Sequence, residues 1–407
     1  MPNRSPTSPR VPLVVVAGLF LAALALRPQL IAIGPLLPDI RQDLALSASA
    51  AGLITTIPVL CMGVFAPIGP LVAARLGPRT ALGACLALVV GFGLARAVAP
   101  TFLGVLVATF GLGVGIGVAG AIPSIIVSQR IASRPALGTG AYAGGIVAGS
   151  TLGAAVAVPL ALGGDWRRSL LIISIVSLVS IGAWLLLVRG DGAGRSLQAS
   201  VPRLPWRHAT GWLLVAAFGL QSLLFYATVA WLPNVFVERG WSAAAAGSLL
   251  AIYNGVGLLT TLGIPLVADR MGKRRDQLVV ASIVATGTLL ALIVLPEWAY
   301  LWVAMLGLAL GSVFPLVLTL PLDVTDDPGQ VGSVAAMMLL GGYIISAIGP
   351  FALGAARDLT GNFEASLWLL VAVAVALVGC CLLLSPSRLR RGIRRTATDG
   401  HRLEVPS

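Results

Sequence analysis

The stretch Pro-Leu-Val-Ala-Ala-Arg-Leu-Gly at residues 70–77 returns 195 residues later as Pro-Leu-Val-Ala-Asp-Arg-Met-Gly at residues 265–272. A second pair of segments has the same offset. In residues 38–52 and 233–247, a proline, a serine and the sequence Ala-Ala-Gly follow one another with identical spacing. Two separated segments that share one offset indicate an internal repeat of about half the chain. The sequence therefore predicts two structurally similar halves.

The composition is that of a protein surrounded by lipid. The 407 residues are 57% hydrophobic and only 10% charged, and the mean hydropathy is +0.97. Soluble domains carry about 25% charged residues. The composition therefore predicts an integral membrane protein.

Twelve apolar runs approach the ~20 residues that a helix needs to cross a ~30 Å hydrocarbon core. Six precede and six follow a polar segment from Arg189 to Thr210. We therefore expect an all-α integral membrane protein whose 12 transmembrane helices form two pseudo-symmetric six-helix bundles. The predicted domains are a first bundle (1–188), a cytoplasmic linker (189–210), a second bundle (211–387) and a basic cytoplasmic tail (388–407). The predicted spans are 12–36, 49–73, 80–98, 102–126, 138–162, 169–188, 211–236, 244–268, 278–295, 299–321, 332–356 and 365–385.

The positive charges predict the orientation. With the N-terminus inside, 20 of the 27 Lys and Arg residues fall in cytoplasmic segments and six in outer segments, among them Arg96. Because cytoplasmic loops are enriched in Lys and Arg, both termini are predicted to be cytoplasmic, in the plasma (inner) membrane. The net charge of +12 then reflects membrane orientation, so no nucleic-acid partner is expected. Anionic lipid is the expected partner of the basic tail, and the protein is expected to be a monomer.

Arg27 is the remaining cation, about midway along the first span. A charge at that depth costs about 2.5–3.5 kcal/mol. All fifteen Asp and Glu residues lie near span ends, in loops or in the tail, so none is an obvious partner. Arg27 either binds an anionic substrate or is a structural residue that bonds carbonyls or extends to the interface. We expect Arg27 to bind substrate. The predicted outer end at Pro38 is roughly 16 Å of helix away, so extension of the Arg27 side chain to the interface is unfavourable. The planar guanidinium also suits a small planar anion or carboxylate.

Other polar and aromatic residues at similar depth either line a cavity or make helix–helix contacts. On ideal helices Gln221 and Tyr226 point about 140° apart, and Gln29 points about 200° from Arg27. Gln29 therefore reaches the cavity only if Pro28 distorts the turn. The predicted substrate-binding residues are Arg27, Gln29, Gln221, Tyr226, Tyr253, Asn254, Phe314 and Tyr343.

The spans lack the residues that other functional classes need. A membrane-embedded enzyme requires paired acids or a His/Cys cluster in its spans, and the predicted spans contain neither. No Walker sequence for ATP binding occurs. We therefore expect no enzymatic activity, no metal and no cofactor.

The two repeated segments at 70–77 and 265–272 resemble the loop signature G-x-L-A-D-R-x-G-R-K of the major facilitator superfamily. The second copy keeps the acid, and the first has Ala74 instead. The resemblance implies the fold already predicted and alternating access to a site between the halves. Separately, we expect Asp269 to accept hydrogen bonds at the N-terminus of span five near Leu137, because the helix dipole there favours an anion. The gating or structural residues that the resemblance implies are Asp269, Arg270, Arg75, Gly77 and Gly272.

The inner loops differ in charge between the halves. Arg130 and Arg134 follow span four, whereas three acids follow span ten. These charged residues either pair across the halves and close an inner gate, or lie in solvated loops. An exposed ion pair contributes only about 0–1 kcal/mol to stability. The three acids are Asp323, Asp326 and Asp327.

A narrower resemblance covers segments 26–40, 51–60, 221–233, 314–320 and 342–350. Together they are similar to the cyanate and nitroimidazole transporter family of the superfamily. The resemblance implies a secondary active transporter for a small anion (cyanate-like or a small carboxylate) or a small polar heterocycle. The alternative that it leaves open is an efflux transporter for nitroimidazole-like or other small aromatic drugs. It leaves the direction of transport open as well.

Overall fold

The computed structural model describes residues 13–131, 133–161, 163–189, 204–206, 208–271, 274–324 and 328–384. For residues 135, 136, 262, 265–271, 328 and 329 only the backbone is described. The described part is all-helical and contains 12 helical segments long and apolar enough to cross a membrane, which confirms the predicted fold class.

The first half contains six of these segments. The first is broken into three helices, and the second and fourth are each broken once. The helices are α1 (Leu13–Leu26), α2 (Pro28–Ile31), α3 (Ile33–Asp43), α4 (Ala48–Phe65), α5 (Gly69–Leu76), α6 (Pro78–Val98), α7 (Phe102–Ala119), α8 (Ile122–Arg130), α9 (Pro135–Ala161) and α10 (Trp166–Leu187).

The second half contains the other six, with fewer breaks. One turn of 3₁₀-helix, Pro296–Trp298, precedes α14. The helices are α11 (Ala209–Glu238), α12 (Ala243–Met271), α13 (Arg274–Val294), α14 (Ala299–Thr319), α15 (Pro321–Val324), α16 (Pro328–Thr360) and α17 (Glu364–Leu383).

The cap at the start of the second span has the same geometry in both halves. The Ser47 hydroxyl accepts a hydrogen bond from the backbone N–H of Ala50 at 3.1 Å. Ser242, 195 residues later, accepts from Ala245 at 3.2 Å. Both serines therefore cap the second span of their half.

The two copies differ further along. A 3₁₀ turn at Ala66–Ile68 separates α4 from α5, whereas α12 continues without a break to Met271. The first copy has an additional proline, Pro67, which cannot donate a helical hydrogen bond, and this accounts for the break.

The halves meet closely at the end of the bundle that carries Asp43 and Asp358, called here the predicted outer end. A Cβ atom on Gly52 of α4 would lie 2.6 Å from the carbonyl oxygen of Pro350 on α16. A Cβ on Gly34 would likewise overlap the carbonyl oxygen of Val229 on α11. Glycine at these two positions therefore lets helices of opposite halves touch backbone to backbone.

Polar contacts also join the halves at this end. The Asp358 carboxylate on α16 accepts hydrogen bonds from the backbone N–H groups of Ala48 (2.8 Å) and Ser49 (2.7 Å) at the start of α4. The Asn234 amide on α11 donates to the carbonyl oxygen of Gly34 at 3.1 Å. A carboxylate at a helix N-terminus satisfies orphan donors and interacts favourably with the helix dipole. Asp358 is therefore a link that holds this end closed.

At the opposite end two charged residues of the predicted inner loops make contacts that do not cross to the other half. Asp323 accepts a hydrogen bond from Arg274 at 3.0 Å, and Arg130 donates to the carbonyl oxygen of Arg189 at 3.2 Å. Among the described residues, Asp323 thus has no ion pair with the first half in this structure, which is closed at the other end. Asp326 and Asp327 lie outside the described residues.

We predict that Asp358→Asn weakens the closed outer end. The amide keeps one acceptor oxygen and loses the charge, and hydrogen bonds to a charged group contribute about 1.5–3 kcal/mol. A cysteine introduced at Ser222, midway along α11, should therefore react about 10-fold faster with a membrane-impermeant thiol reagent added from the Asp358 side. The background would lack the four native cysteines, which are buried.

Asp165→Asn is the matched control. Asp165 also caps a helix, by accepting from the backbone N–H of Arg168 at 3.0 Å, but it does so within one half. Equal labelling rates in the two variants would contradict the assignment of Asp358 as a link between halves.

Candidate substrate-binding cavity

The first span breaks at Arg27. Pro28 starts α2 and cannot donate to the preceding turn. The Arg27 carbonyl oxygen instead accepts from the backbone N–H groups of Leu30 (3.0 Å) and Ile31 (3.1 Å), so helical bonding restarts there. On α9, a Cβ on Gly153 would lie 2.7 Å from the Cα of Pro28, so the broken segment and α9 pack backbone to backbone.

The guanidinium of Arg27 reaches across to the other half. Its Nη1 donates a hydrogen bond to the hydroxyl of Tyr226, on α11, at 3.0 Å. The Tyr226 hydroxyl in turn lies 3.6 Å from the sulfur of Met62. Among the described residues, the buried Nε of Arg27 has no hydrogen-bond partner and no carboxylate forms a salt bridge with Arg27. Arg27 is thus a cation without a counter-charge in the described part of the protein.

Arg27 borders a cavity between the halves, and the space in it that water-sized spheres can occupy is about 90 Å³. This is less than the roughly 300–1,000 Å³ usual for drug-sized ligands and suits a small substrate. Seven of the eight residues proposed from the sequence line it: Arg27, Gln221, Tyr226, Tyr253, Asn254, Phe314 and Tyr343.

Predicted residues that point in different directions on an ideal helix nevertheless line the same cavity. Gln221 and Tyr226 both line it, as do the adjacent Tyr253 and Asn254. The Gln221 side-chain oxygen accepts from the Ser222 hydroxyl at 3.1 Å, and the Asn254 amide donates to the carbonyl oxygen of Leu250 at 2.9 Å. Residues at these different helical angles on α11 and α12 therefore border one cavity.

The other ten lining residues were not predicted from the sequence. Ser222 is the residue that the repeat relates to Arg27, 195 positions earlier, so the repeat itself contained that signal. Phe225 lies one helical turn from Gln221. The others are small or aliphatic and gave no distinguishing signal. The lining residues missed are Ile146, Val147, Ser150, Ser222, Phe225, Gly257, Thr261, Gly307, Leu310 and Gly311.

Aromatic rings form much of the cavity wall. Phe225 packs edge-on against Tyr226 with ring centroids 5.1 Å apart, and it lies 5.8 Å from Tyr253. Tyr226 is 6.4 Å from Tyr343. These separations lie in the range of favourable aromatic pairs, so the rings hold one another in place.

Gln29 lies elsewhere, which corrects its assignment to the cavity. Its amide nitrogen donates to Ser174 at 2.6 Å and to the carbonyl oxygen of Leu170 at 3.3 Å, and its side-chain oxygen accepts from Arg96 at 2.7 Å. The break at Pro28 does not rotate Gln29 towards the cavity. It faces α10 and α6, as its angle of about 200° from Arg27 on an ideal helix requires.

Arg96, in the last turn of α6, is buried although it was counted with the outer segments, and its side chain is 0% exposed. One Nη donates to the backbone oxygen of Gln29 at 2.6 Å and to its side-chain oxygen at 2.7 Å. Its Nε and other Nη have no hydrogen-bond partner among the described residues. Arg96 therefore fixes α2, the four-residue helix directly after Arg27.

The predicted gating residues are only partly described. Arg75 is exposed in the last turn of α5, and Gly77 between α5 and α6 has φ of +80°, a conformation that favours glycine. Asp269 and Arg270 belong to α12, but their side chains lie outside the described part, as does Gly272 altogether. The expected contact of Asp269 with span five therefore stays a prediction.

Comparison with known proteins agrees with this architecture. Residues 15–350 match the sequence profile of the Major Facilitator Superfamily. The chain belongs to the major facilitator superfamily. It is 31% identical to the cyanate transport protein CynX of Escherichia coli (strain K12), over 85% of this chain and 90% of that protein.

Two further similarities cover nearly the whole chain. A 2-nitroimidazole transporter of the same organism is 28% identical over 91% of this chain and 95% of its own length. The crystal structure of a bacterial homologue of the human lysosomal transporter Spinster superposes with a TM-score of 0.76. It is 15% identical and covers 96% of this chain and 98% of its own. The narrower likeness to cyanate and 2-nitroimidazole transporters, the major facilitator fold and the absence of an enzymatic function are thereby supported.

We predict that Gln29→Leu destabilises the protein by about 2–4 kcal/mol, because it leaves the buried Arg96 charge without its side-chain acceptor. The double variant Gln29→Leu/Arg96→Met should recover most of this loss, since replacing both polar partners by apolar groups of similar size is nearly neutral. Ser174 keeps an acceptor in both variants, the carbonyl oxygen of Leu170 at 2.7 Å.

The free energy of unfolding in detergent, measured for the wild type, both single variants and the double variant, tests this cycle. A double variant as unstable as the sum of the single variants would show that the two residues act independently.

Proposed function

We propose that this major facilitator transporter is a secondary active carrier that moves a small anion across the inner membrane by alternating access. The anion is cyanate-like or a small carboxylate. The observation that supports this most is Arg27, a guanidinium that borders the cavity, bonds to an uncharged hydroxyl and has no carboxylate partner in the described structure. A small polar heterocycle with an electron-rich edge is the second type of substrate that this donor would accept.

The position of Arg27 suits coupling of binding to movement. It belongs to the broken first span of one half, and its hydrogen-bond acceptor Tyr226 belongs to the other. An anion that binds there neutralises Arg27 and contacts both halves. It therefore changes the relative free energy of the two access states, which a ligand achieves only through such differential contacts.

The second candidate function is efflux of nitroimidazole-like or other small aromatic compounds. The aromatic rings of Phe225, Tyr253 and Phe314 in the cavity wall favour it, since they can pack against a neutral ring without help from Arg27. Binding that is independent of Arg27 would distinguish this function from the first.

The remaining parts of the proposal concern placement. Both termini are cytoplasmic, and residues 388–407 form a basic tail that contacts anionic lipid. The domains are the two bundles 1–188 and 211–387, joined by a cytoplasmic linker at 189–210. The carrier works as a monomer, and each half supplies part of the one cavity.

We predict that Arg27→Lys lowers the affinity for the transported anion about 10- to 100-fold, while the protein still inserts and folds. Lysine keeps the charge but loses the planar pair of donors, and hydrogen bonds between charged groups contribute about 1.5–3 kcal/mol. The measurement is the thermal unfolding midpoint of the purified protein with sodium cyanate, sodium benzoate or 2-nitroimidazole, because a bound ligand stabilises by mass action.

Arg168→Lys, at an exposed arginine in the first turn of α10, is the matched control and should respond to the ligands as the wild type does. Stabilisation by 2-nitroimidazole alone, equal in Arg27→Ala and in the wild type, would overturn the anion proposal in favour of the second candidate. Transport by Arg27→Ala at the wild-type rate would overturn it as well.

A further inference from the structure

We infer that the substrate is a planar aromatic monocarboxylate that carries a hydrogen-bonding substituent on its ring. The inference rests on the proposed function and names the chemistry of the anion. Three properties of the cavity lead to it: one unopposed cation, a wall of aromatic rings and a buried tyrosine hydroxyl that has no partner.

The charge of the lining specifies a monoanion. The 17 residues that line the cavity include one arginine and no Asp, Glu, Lys or His. The Nη1 of Arg27 already donates to Tyr226, whereas no hydrogen bond to a described residue engages its Nε or Nη2. These two N–H groups lie on one edge of the guanidinium, and a carboxylate binds such an edge through both its oxygens. A second negative charge would find no second cation in the lining.

The walls specify an aromatic body. Five lining residues are aromatic, and three of them are tyrosines, of which the chain has five. Tyr226 and Tyr343 lie close to Arg27, and the tilted pair Phe225–Tyr253 lines the same cavity. A flat ring can stack on such surfaces or meet them edge to face. A triatomic anion on the guanidinium would use little of this aromatic surface.

The Tyr253 hydroxyl specifies the ring substituent. Tyr253 is one of the residues that line the cavity and is 1% exposed, and its buried hydroxyl makes no hydrogen bond to any described residue. An unpaired buried hydroxyl costs about 1–3 kcal/mol, and a ligand that bonds to it recovers part of this cost. The amide groups of Gln221 and Asn254 line the same cavity and provide further polar contacts.

The test is titration calorimetry of the purified full-length protein with 4-hydroxybenzoate, benzoate, cyclohexanecarboxylate, 4-hydroxybenzamide and cyanate. Benzoate should bind about 2- to 10-fold more tightly than cyclohexanecarboxylate, which has the same charge and a similar size but no aromatic ring. 4-Hydroxybenzoate should bind about 2- to 10-fold more tightly than benzoate. The neutral benzamide should bind at least 10-fold more weakly than 4-hydroxybenzoate.

The variant Tyr253→Phe should abolish the preference for 4-hydroxybenzoate over benzoate. Its unfolding midpoint without ligand should equal or exceed that of the wild type, because the deleted hydroxyl has no partner. Tyr300→Phe is the matched control. Tyr300 is 45% exposed, lies outside the cavity and contacts Ser248 at 3.2 Å, so this variant should keep the preference.

The outcomes separate this inference from the proposal on which it rests. If cyanate or cyclohexanecarboxylate binds at least as tightly as the aromatic acids and binding still requires Arg27, the aromatic inference is wrong and the anion proposal survives. If no anion binds, or if binding does not depend on Arg27, both are wrong. An unchanged preference in Tyr253→Phe would refute the assignment of the ring substituent to Tyr253.

Discussion

The hydrogen bond between Arg27 and Tyr226 is the interaction on which the functional account depends. It joins a guanidinium of the first half to a hydroxyl of the second, at a cavity that both halves form. A hydroxyl can orient a guanidinium, but it cannot neutralise the charge. In a medium of low dielectric constant that charge is costly, and an anion that enters the cavity reduces the cost. The proposed anionic substrate would supply the counter-charge that Arg27 lacks among the described residues.

In the proposed alternating access, contacts within the first half hold Arg27 in position while the halves rearrange. Pro28 breaks the first span, Gly153 lets α9 pack against the break, and Arg96 binds both oxygens of Gln29 just beyond it. All of these contacts lie within the first half, so they can persist in every access state. The contacts of Asp358 with the start of α4 join the two halves and must break when the predicted outer end opens. The structure therefore separates the contacts that fix the site from those that gate it.

Much of the fold could be predicted because lipid imposes simple rules. Spans must be long and apolar, and two segments with one offset indicate two equivalent halves, as the caps at Ser47 and Ser242 illustrate. The site was harder to predict, because it depends on which face of each helix meets the other half. Arg96 lies near a helix end but is covered by neighbouring helices, and Gln29 sits two residues from Arg27 yet faces the opposite way. The helical angle of Gln29 indicated its direction, whereas the burial of Arg96 is a property of the assembled bundle for which a linear sequence contains no direct signal.

The most direct measurement of the central claim is a crystal structure of the protein soaked with 4-iodobenzoate, in which anomalous scattering locates the iodine without ambiguity. The account predicts the carboxylate on the free edge of Arg27, within 3.0 Å or so of Nε and Nη2, and the iodine among the rings of Phe225, Tyr253 and Phe314. An iodine bound elsewhere, or a ligand in the cavity whose carboxylate does not contact Arg27, would contradict the claim that the substrate supplies the missing charge.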